Sequence, residues 1–407
     1  MGIWSWLTGR EAEQKSVGFS DEWAAYHAMV TSKSGVPVSW ERALDVSTVL
    51  AIARVLANGV AQVPLRVMAE TKDGGSEPAT DHPLYKVLNR KPNAWQTSFA
   101  MRETMMLHLV LTGNAFFYKN MVRNQVKSLI PIDPGCVSIK RNRDYSLEYT
   151  VTSIDGTSQI FPQSLIWHIR GTSWDNWRGL DAVRHAREAI GLAIATETTQ
   201  SEMHANGLQA SGTYSTEQKI DPEKYKQIQA WIAAQIGGPN KHKPFIIDSG
   251  FKWAQQSMTG VDAQHLETRK YQVEQICAAF GVLPPMIGHA GQSMTFASAE
   301  QIFLAHVVHT LMPWYVRIEQ SIDNDLLDGK EDSGFFAKFN ANGLLRGAAK
   351  DRGEFYAKAL GSGGSPAWIT PNEIRALEDM NPIVGGEDLP KPPVAQPPTG
   401  GSKEPPK

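Results

Sequence analysis

Ile276-Cys-Ala-Ala-Phe-Gly-Val-Leu-Pro-Pro-Met-Ile-Gly288, continuing as His289-Ala-Gly-Gln-Ser-Met-Thr295, is the stretch around which the chain is organised. The residues before it, from about 262 to 280, place Leu266, Val273, Ile276, Cys277 and Phe280 at helical spacing. Gly281 closes that helix, and Pro284-Pro285 prevents its continuation because proline brings no amide hydrogen and clashes with the preceding turn. The loop 289–295 is small and polar. Beyond it, Ser298 and Gln301 form a capping-box pattern. Ile302, Ala305, Val308, Met312, Tyr315, Ile318, Ile322 and Leu326 then extend a helix over about 28 residues, or roughly 42 Å. Pro313 lies inside that run and predicts a kink near His309.

Toward the N-terminus, Val183, Ala186, Ile190, Ala193 and Ile194 share one face of a helix over 181–206, which Asn206-Gly207 ends. Asp221-Pro222-Glu223 is a strong helix start, and Tyr225, Ile228, Trp231, Ile232 and Ile236 carry that helix to Gly237-Gly238. A short strand is expected at 244–248. Further upstream, the spacing predicts a helix over about 45–61, a strand from Val63, and a turn at Asp73-Gly74-Gly75. A second helix runs from Thr97 or Ser98 to Thr112 and stops at Gly113-Asn114. Strands are expected at 115–121, 126–132, 137–140, 145–151 and 165–169, the first two joined by Arg123-Asn124-Gln125. The region 63–170 therefore reads as α+β.

At the other end, helices are expected at 345–360 and 370–379, the second opened by the capping box Thr370-Pro371-Asn372-Glu373. Beyond Asn381 proline and glycine are dense and apolar surface is scarce, which predicts disorder. Residues 1–40 look irregular, and Trp4, Trp6 and Leu7 read as a terminal segment that docks on a neighbour or stays loose.

The 407 residues are 42% hydrophobic and 20% charged, the composition of a globular chain too long for one compact core. The net charge of −2 argues against tight static binding of nucleic acid, which calls for a basic excess, but allows passing contact. Two cysteines, Cys136 and Cys277, make no disulfide framework and fit a reducing compartment. No apolar run reaches the length of a bilayer span, so no membrane association is expected.

The chain has no Gly-x-x-x-x-Gly-Lys-[Ser/Thr] loop, no His-Glu-x-x-His, no Cys-x-x-Cys and no Gly-x-Ser-x-Gly elbow. The expectation is a protein without catalysis, metal or cofactor. His306 and His309, three apart on one helix, read as core or surface histidines rather than metal ligands for want of a third partner. Asp323, Asp325 and Asp328 read as a solvated acidic helix end rather than a calcium loop. Two basic clusters, Lys140-Arg141-Asn142-Arg143 and Asn240-Lys241-His242-Lys243, are the candidate phosphate contacts; the competing reading is ordinary charged hairpin tips.

Four stretches, in order, resemble the portal family of tailed phages in its HK97-like branch. Asp81-His82-Pro83-Leu84 with Lys91-Pro92-Asn93 is similar to that family's His-Pro-Leu followed by Pro-Asn. Leu111-Thr112-Gly113-Asn114-Ala115-Phe116 resembles its Gly-Asn-Ala-aromatic turn. The stretch 276–288 resembles the signature before its channel loop, and Thr370-Pro-Asn-Glu-Ile-Arg375 with Asn381-Pro382 and Gly385-Gly386 resembles its C-terminal segment. Two departures stand out: Leu283 takes the place of the first of two prolines, and Gly179-Leu180-Asp181 stands where the family often has Gly-x-Ser-Pro.

The resemblance implies an α+β portal-type subunit with wing, helical stem, small α/β clip, channel loop and helical crown, assembling into a ring of twelve. Mapped onto the chain, 1–40 is an N-terminal arm, 41–180 the wing, 181–206 the first stem helix and 207–260 the clip. Residues 261–283 form the second stem helix, and 284–297 the channel loop, with Gly291, Gln292, Ser293, Met294 and Thr295 facing DNA. Residues 298–344 return to the wing as a kinked helix and a strand, 345–380 form the crown, and 381–407 a disordered tail. The implied partners are the terminase large subunit, the major capsid protein, a head–tail adaptor and double-stranded DNA that passes without sequence recognition. The implied location is one capsid vertex of a virion assembled in the bacterial cytoplasm.

Twelve helices side by side, each about 10 Å across, trace a circle about 38 Å in diameter and leave a bore of about 28 Å. Duplex DNA, on the order of 20 Å wide, fits through it. The loop 291–295 carries no formal charge, which suits a surface that guides without gripping. Two other readings compete: another head–tail connector or minor capsid protein, and a metal-dependent hydrolase built on His306, His309 and Asp325.

Overall fold

The computed structural model describes residues 31–71, 75–206, 212–215, 221–236, 252–255, 261–289, 296–327, 329, 332–341, 349–362, 366–377 and 381–390. The chain divides into two units, residues 1–339 and 340–407.

The first unit begins with α1 (Trp40–Leu44), where Ser39 Oγ accepts from Arg42 N, and α2 (Ser47–Ala61). Val49, Ile52, Ala53, Leu56 and Val60 stand at i, i+3, i+4, i+7 and i+11, one face of a helix, and all are buried. Strand β1 (Leu65–Glu70) follows, then β2 (Ser76–Pro78) and α3 (Pro83–Asn89). Helix α4 (Ser98–Thr112) starts where Thr97 accepts from Ala100 N and ends at Gly113, whose φ of 74° lies in the left-handed region.

Helix α4 packs along α2. Arg102, inside this contact, is buried. Its Nε and Nη2 donate to Ala61 O at 3.1 and 2.8 Å, and its Nη1 donates to Leu88 O at 3.4 Å. One guanidinium thus satisfies carbonyls at the ends of two helices that would otherwise lack partners. Burial pulls its pKa down to about 10, which leaves it charged at neutral pH.

Six strands follow: β3 (Asn114–Val122), β4 (Gln125–Ile132), β5 (Val137–Arg141), β6 (Leu147–Thr152), β7 (Ser158–Pro162) and β8 (Ile166–Arg170); β6 alternates buried and half-buried residues, whereas β8 and the first part of β3 are buried almost throughout. The β3–β4 turn places Arg123 and Asn124 at φ of 52° and 60°, the positive values a tight hairpin needs. One antiparallel sheet has the order β4-β3-β8 and another β5-β6-β7. Phe116, Tyr118 and Ile130 of the first share a core with Tyr149 and Phe161 of the second.

The segment expected as one helix over 181–206 is two: α5 (Ala182–His185) and α6 (Arg187–Asn206), separated at Ala186 with φ −88° and ψ 4°. A small hairpin of β9 (Gly212–Ser215) and β10 (Lys252–Gln255), with α7 (Pro222–Ile236), follows. The strand expected at 244–248 lies outside the described residues. Helix α8 (Val261–Phe280) then ends at Gly281, φ 67°.

The long helix starts at Phe296, so Ser298 lies inside its first turn and not at its cap. It runs as α9 (Phe296–Ala305), a π segment (His306–Leu311) and α10 (Met312–Asp325). This wider turn lies where the proline disturbance was expected, around His309. Proline at 313 cannot bond to the His309 carbonyl, and the backbone absorbs the mismatch by shifting its hydrogen bonds to a longer reach. The helix crosses α2 closely. Tyr315 OH donates to Gly59 O at 2.8 Å, and a Cβ at Gly59 would lie 2.7 Å from Leu311 Cδ2.

Helix α10 then shapes β11 (Phe335–Phe339). Asp323 Oδ1 accepts from Ala337 N and Glu319 Oε1 from Phe339 N, both at 2.7 Å. Asp323, expected to be a solvated acid, is a strand anchor. With its backbone so fixed, β11 pairs antiparallel with β1, Leu65 opposite Phe339.

The second unit holds α11 (Ala349–Ala359) and α12 (Pro371–Leu377). The capping box is present: Thr370 N donates to Glu373 Oε2 at 2.8 Å and Glu373 N to Thr370 Oγ1 at 3.2 Å. Residues 381–390, expected in the disordered tail, instead fold against α12. Ile383 N donates to Asn372 Oδ1 and Asn372 Nδ2 to Ile383 O, at 2.8 and 2.9 Å. Residues 391–407 lie outside the described ones.

Replacing Arg102 by Met keeps an aliphatic side chain but leaves Ala61 O and Leu88 O unpaired. We expect a loss of about 2–3 kcal/mol in urea unfolding; a loss under about 0.5 kcal/mol would mean water takes over both carbonyls.

Candidate functional site

Helices α6 and α8 form an antiparallel pair. Gln272 Nε2 donates to Thr196 Oγ1 at 3.4 Å, and Arg269 Nη1 to Gln200 Oε1 at 3.1 Å, so the register advances on one helix as it recedes on the other. Each has 20 residues and is about 30 Å long. Their root is apolar: Ile190, Ile276 and Cys277 are buried, and burial pushes the Cys277 thiol up to about 11. Away from the root the pair is held by these polar links, while Leu192, Glu197, Thr198, Thr199 and Tyr271 are exposed.

Past α8 the chain makes a 3-10 turn at Pro284–Ile287, which Gly288 closes at φ 81°. The expected channel-loop residues Gly291, Gln292, Ser293, Met294 and Thr295 lie outside the described residues. Their flanks are described, and Thr310 Oγ1 donates to Gly281 O at 3.1 Å, tying the returning helix to the end of the outgoing one. The returning helix leaves Leu304, Val308, Met312 and Val316 exposed at intervals of four, an uncovered apolar line on one helix face.

Of the candidate phosphate contacts, Lys140, Arg141 and Arg143 meet on the β5–β6 hairpin. Each is exposed, and two already have local partners: Lys140 Nζ lies 3.3 Å from Glu148 Oε2, and the Arg141 guanidinium stacks 4.6 Å from the centre of the Tyr145 ring. Lys241 and Lys243 lie outside the described residues. His306 is buried and His309 exposed, so the pair does not converge on one ligand. Among the described residues no three His, Cys, Asp or Glu side chains are placed to hold a metal. Nor is any described helix long and apolar enough to cross a membrane.

Sequence reading missed the joint at Asn114, which it took only as a helix stop. Asn114 Nδ2 donates to Thr112 O at 2.9 Å, which turns Oδ1 toward Gly179 N, 2.7 Å away, and His168 Nε2, 3.0 Å away. His168 Nε2 therefore carries the proton, and Nδ1 accepts from the Tyr149 hydroxyl at 3.1 Å. A buried chain thus links the second sheet, the first sheet and the loop 171–180. Backbones touch there as well: Gly171 N donates to Gly113 O at 2.7 Å, and a Cβ on Gly113 or Gly179 would collide with the facing carbonyl. The signal that could have found this joint was the Gly113-Asn114 pair together with Gly179.

That loop carries Trp174 and Trp177 beside a cavity of about 930 Å³, lined also by Trp40, Phe116, Arg184 and Glu188. It sits where α5 and α6 leave the sheets.

A family model described as phage portal protein matches residues 47–379. The chain is 30% identical over 390 residues to the portal protein of Enterobacteria phage HK97, covering 94% of this chain and 89% of that one. It is 30% identical over 405 residues to a probable portal protein of Streptomyces phage phiC31, covering 95% and 87%. Among solved structures, a chain in the virion of a native gene transfer agent particle matches with a TM-score of 0.59 at 21% identity, covering 84% of this chain and 92% of that one. An HK97 family phage portal protein from Corynebacterium diphtheriae matches with a TM-score of 0.57 at 18% identity, covering 78% and 97%.

The Asn114 joint has a pH signature. Burial, with Arg170 nearby, holds the His168 pKa well below the usual histidine value. The folded state thus binds a proton less readily than the unfolded chain. This part of the stability is complete above about pH 6.5 and shrinks as the pH falls below it. Between pH 7.5 and 5, the wild type should lose about 1–2 kcal/mol more than His168→Gln in urea unfolding. Equal losses would remove His168 from the account.

Proposed function

Since the chain belongs to the phage portal protein family, we propose that copies of it close into a ring of twelve at one capsid vertex, with DNA passing through the bore. The observation that carries this reading is the antiparallel pair α6 and α8, buried at its root and exposed along its flanks. Such a pair lacks the apolar cover that a lone helical hairpin needs. Neighbours in a ring would supply it, because a head-to-tail interface that closes repeats one contact all the way round.

On this reading α6 and α8 are the stem and 207–260 the clip. The α+β layers within 41–180, joined by the returning helix and β11, are the wing. Residues 284–297 are the channel loop, with 291–295 facing DNA, and 345–380 are the crown. The near-neutral charge of −2 suits a subunit past which phosphates must slide. The hairpin residues Lys140, Arg141 and Arg143 are kept as candidate phosphate contacts, and Lys241 and Lys243 belong to the clip. The ring works without catalysis of its own. A terminase large subunit would supply the driving energy, the major capsid protein would surround the wing, and a head–tail adaptor would bind below. Assembly in the host cytoplasm and residence in the virion follow from those partners.

Deleting Gly291–Thr295 tests the loop. The deleted chain should still form rings in electron micrographs, while packaging or retention of DNA falls at least about tenfold. Unfolded monomer from the deletion would contradict the loop assignment, and normal packaging would contradict the channel contact.

A further inference from the structure

From Gln301 to Val316 the returning helix carries no Asp, Glu, Lys or Arg. Its apolar side chains lie on two opposite faces. Val307, Leu311 and Tyr315 are buried, and the last two meet α2 at Gly59. Leu304, Val308, Met312 and Val316, with Phe303 beside them, are between 36 and 49% exposed. A helix with one apolar face needs one cover, whereas a helix apolar on both sides is built to be enclosed. Here α2 covers the inner face, and among the described residues the outer face is left open.

The π segment His306–Leu311 gives both faces their shape. An α-helix turns about 100° per residue, so an α-helical Val316 would stand about 120° round from Leu304. A π turn takes about 4.4 residues, or about 80° each, and six residues wound that way bring the offset down to roughly 10°. Leu304, Val308, Met312 and Val316 thereby fall on one straight line about 16 Å long, and Val307, Leu311 and Tyr315 on another. In an unbroken α-helix the outer line would wind about a third of the way round the axis toward α2.

At these exposures the five outer side chains present on the order of 400 Å² of apolar surface, large for a patch that faces water. That is about half of what one partner gives to a standard interface, so it suits the apolar centre of a contact whose rim lies beside it. A membrane surface is a poor match, because helices that lie there carry Lys or Arg on their other face, and here that face is sealed against α2. Duplex DNA is a poor match too, since its phosphates would find no positive charge along the line. A second copy of the chain fits. Thr310 Oγ1 ties this helix to the end of α8 at Gly281, so the line adjoins the helix pair, whose flanks also lack cover. Both features recur in every copy, and one head-to-tail contact can cover the two together. Resting on the ring reading above, we propose that the line Leu304–Val308–Met312–Val316 is the apolar centre of the contact between neighbouring copies of this chain.

The test uses the full chain with photo-reactive benzoylphenylalanine in place of Val308. After irradiation, denaturing mass spectrometry should find a product at twice the mass of one chain. Val308→Asp combined with Met312→Asp should lower the ring population in native mass spectrometry at least about tenfold while keeping the wild-type circular dichroism spectrum. Val308→Ile should keep the ring. If the double variant misfolds, the crosslink alone decides. Rings in which the position-308 crosslink stays within one chain, or does not form, would overturn the proposal and leave the ring standing. So would rings of a folded double variant as abundant as those of the wild type. A wild type that stays a monomer would overturn the ring reading and the proposal together.

Discussion

Two helices of about 30 Å are joined to the α+β body at the end where the described apolar residues are buried. At the root Ile190, Ile276 and Cys277 are buried; further out, Thr196–Gln272 and Gln200–Arg269 are side-chain hydrogen bonds between polar residues. Such bonds contribute about 1 kcal/mol each, because water offers nearly as good a partner. Among the described residues these links are weak beside the buried root, so the placement of the pair depends on how firmly the root is built.

The root is built by long-range closures. The returning helix is pinned to α2 by Tyr315 and Leu311 against Gly59, and it is tied to the end of α8 through Thr310 and Gly281. The same helix sets β11 with Glu319 and Asp323, and β11 completes the sheet begun by β1. On the other side, Asn114 joins the end of α4, the buried His168–Tyr149 pair and the loop before α5 and α6. Helix axes, sheet and loop are thus fixed relative to one another, so the direction in which the pair points is set by the body.

Local structure was legible wherever the chemistry is local. Gly113 and Gly281 stop helices because they reach positive φ, Thr97 and the Thr370–Glu373 box start them, and the aliphatic spacing of 47–61 marks a buried face. What escaped depends on partners distant in sequence. Nothing near Asp323 reveals that its oxygen will meet Ala337, and Asn114 looks like a helix stop until Gly179, 65 positions on, is brought beside it. Pro313 announced a disturbance near His309 but not the π segment that takes up its missing hydrogen bond. The fold of 381–390 was hidden because it rests on polar links to Asn372 and Arg375 more than on apolar surface. At the candidate site, the helix pair and its turn were legible, whereas residues 291–295 of the channel loop lie outside the described ones.

The central claim is that the uncovered flanks of the helix pair are met by identical copies. The most direct measurement is the mass of the purified, undisturbed particle by native mass spectrometry. The account predicts a closed species near twelve times the 44.9 kDa of one chain. A species that stays at 44.9 kDa across protein concentration and salt would contradict it.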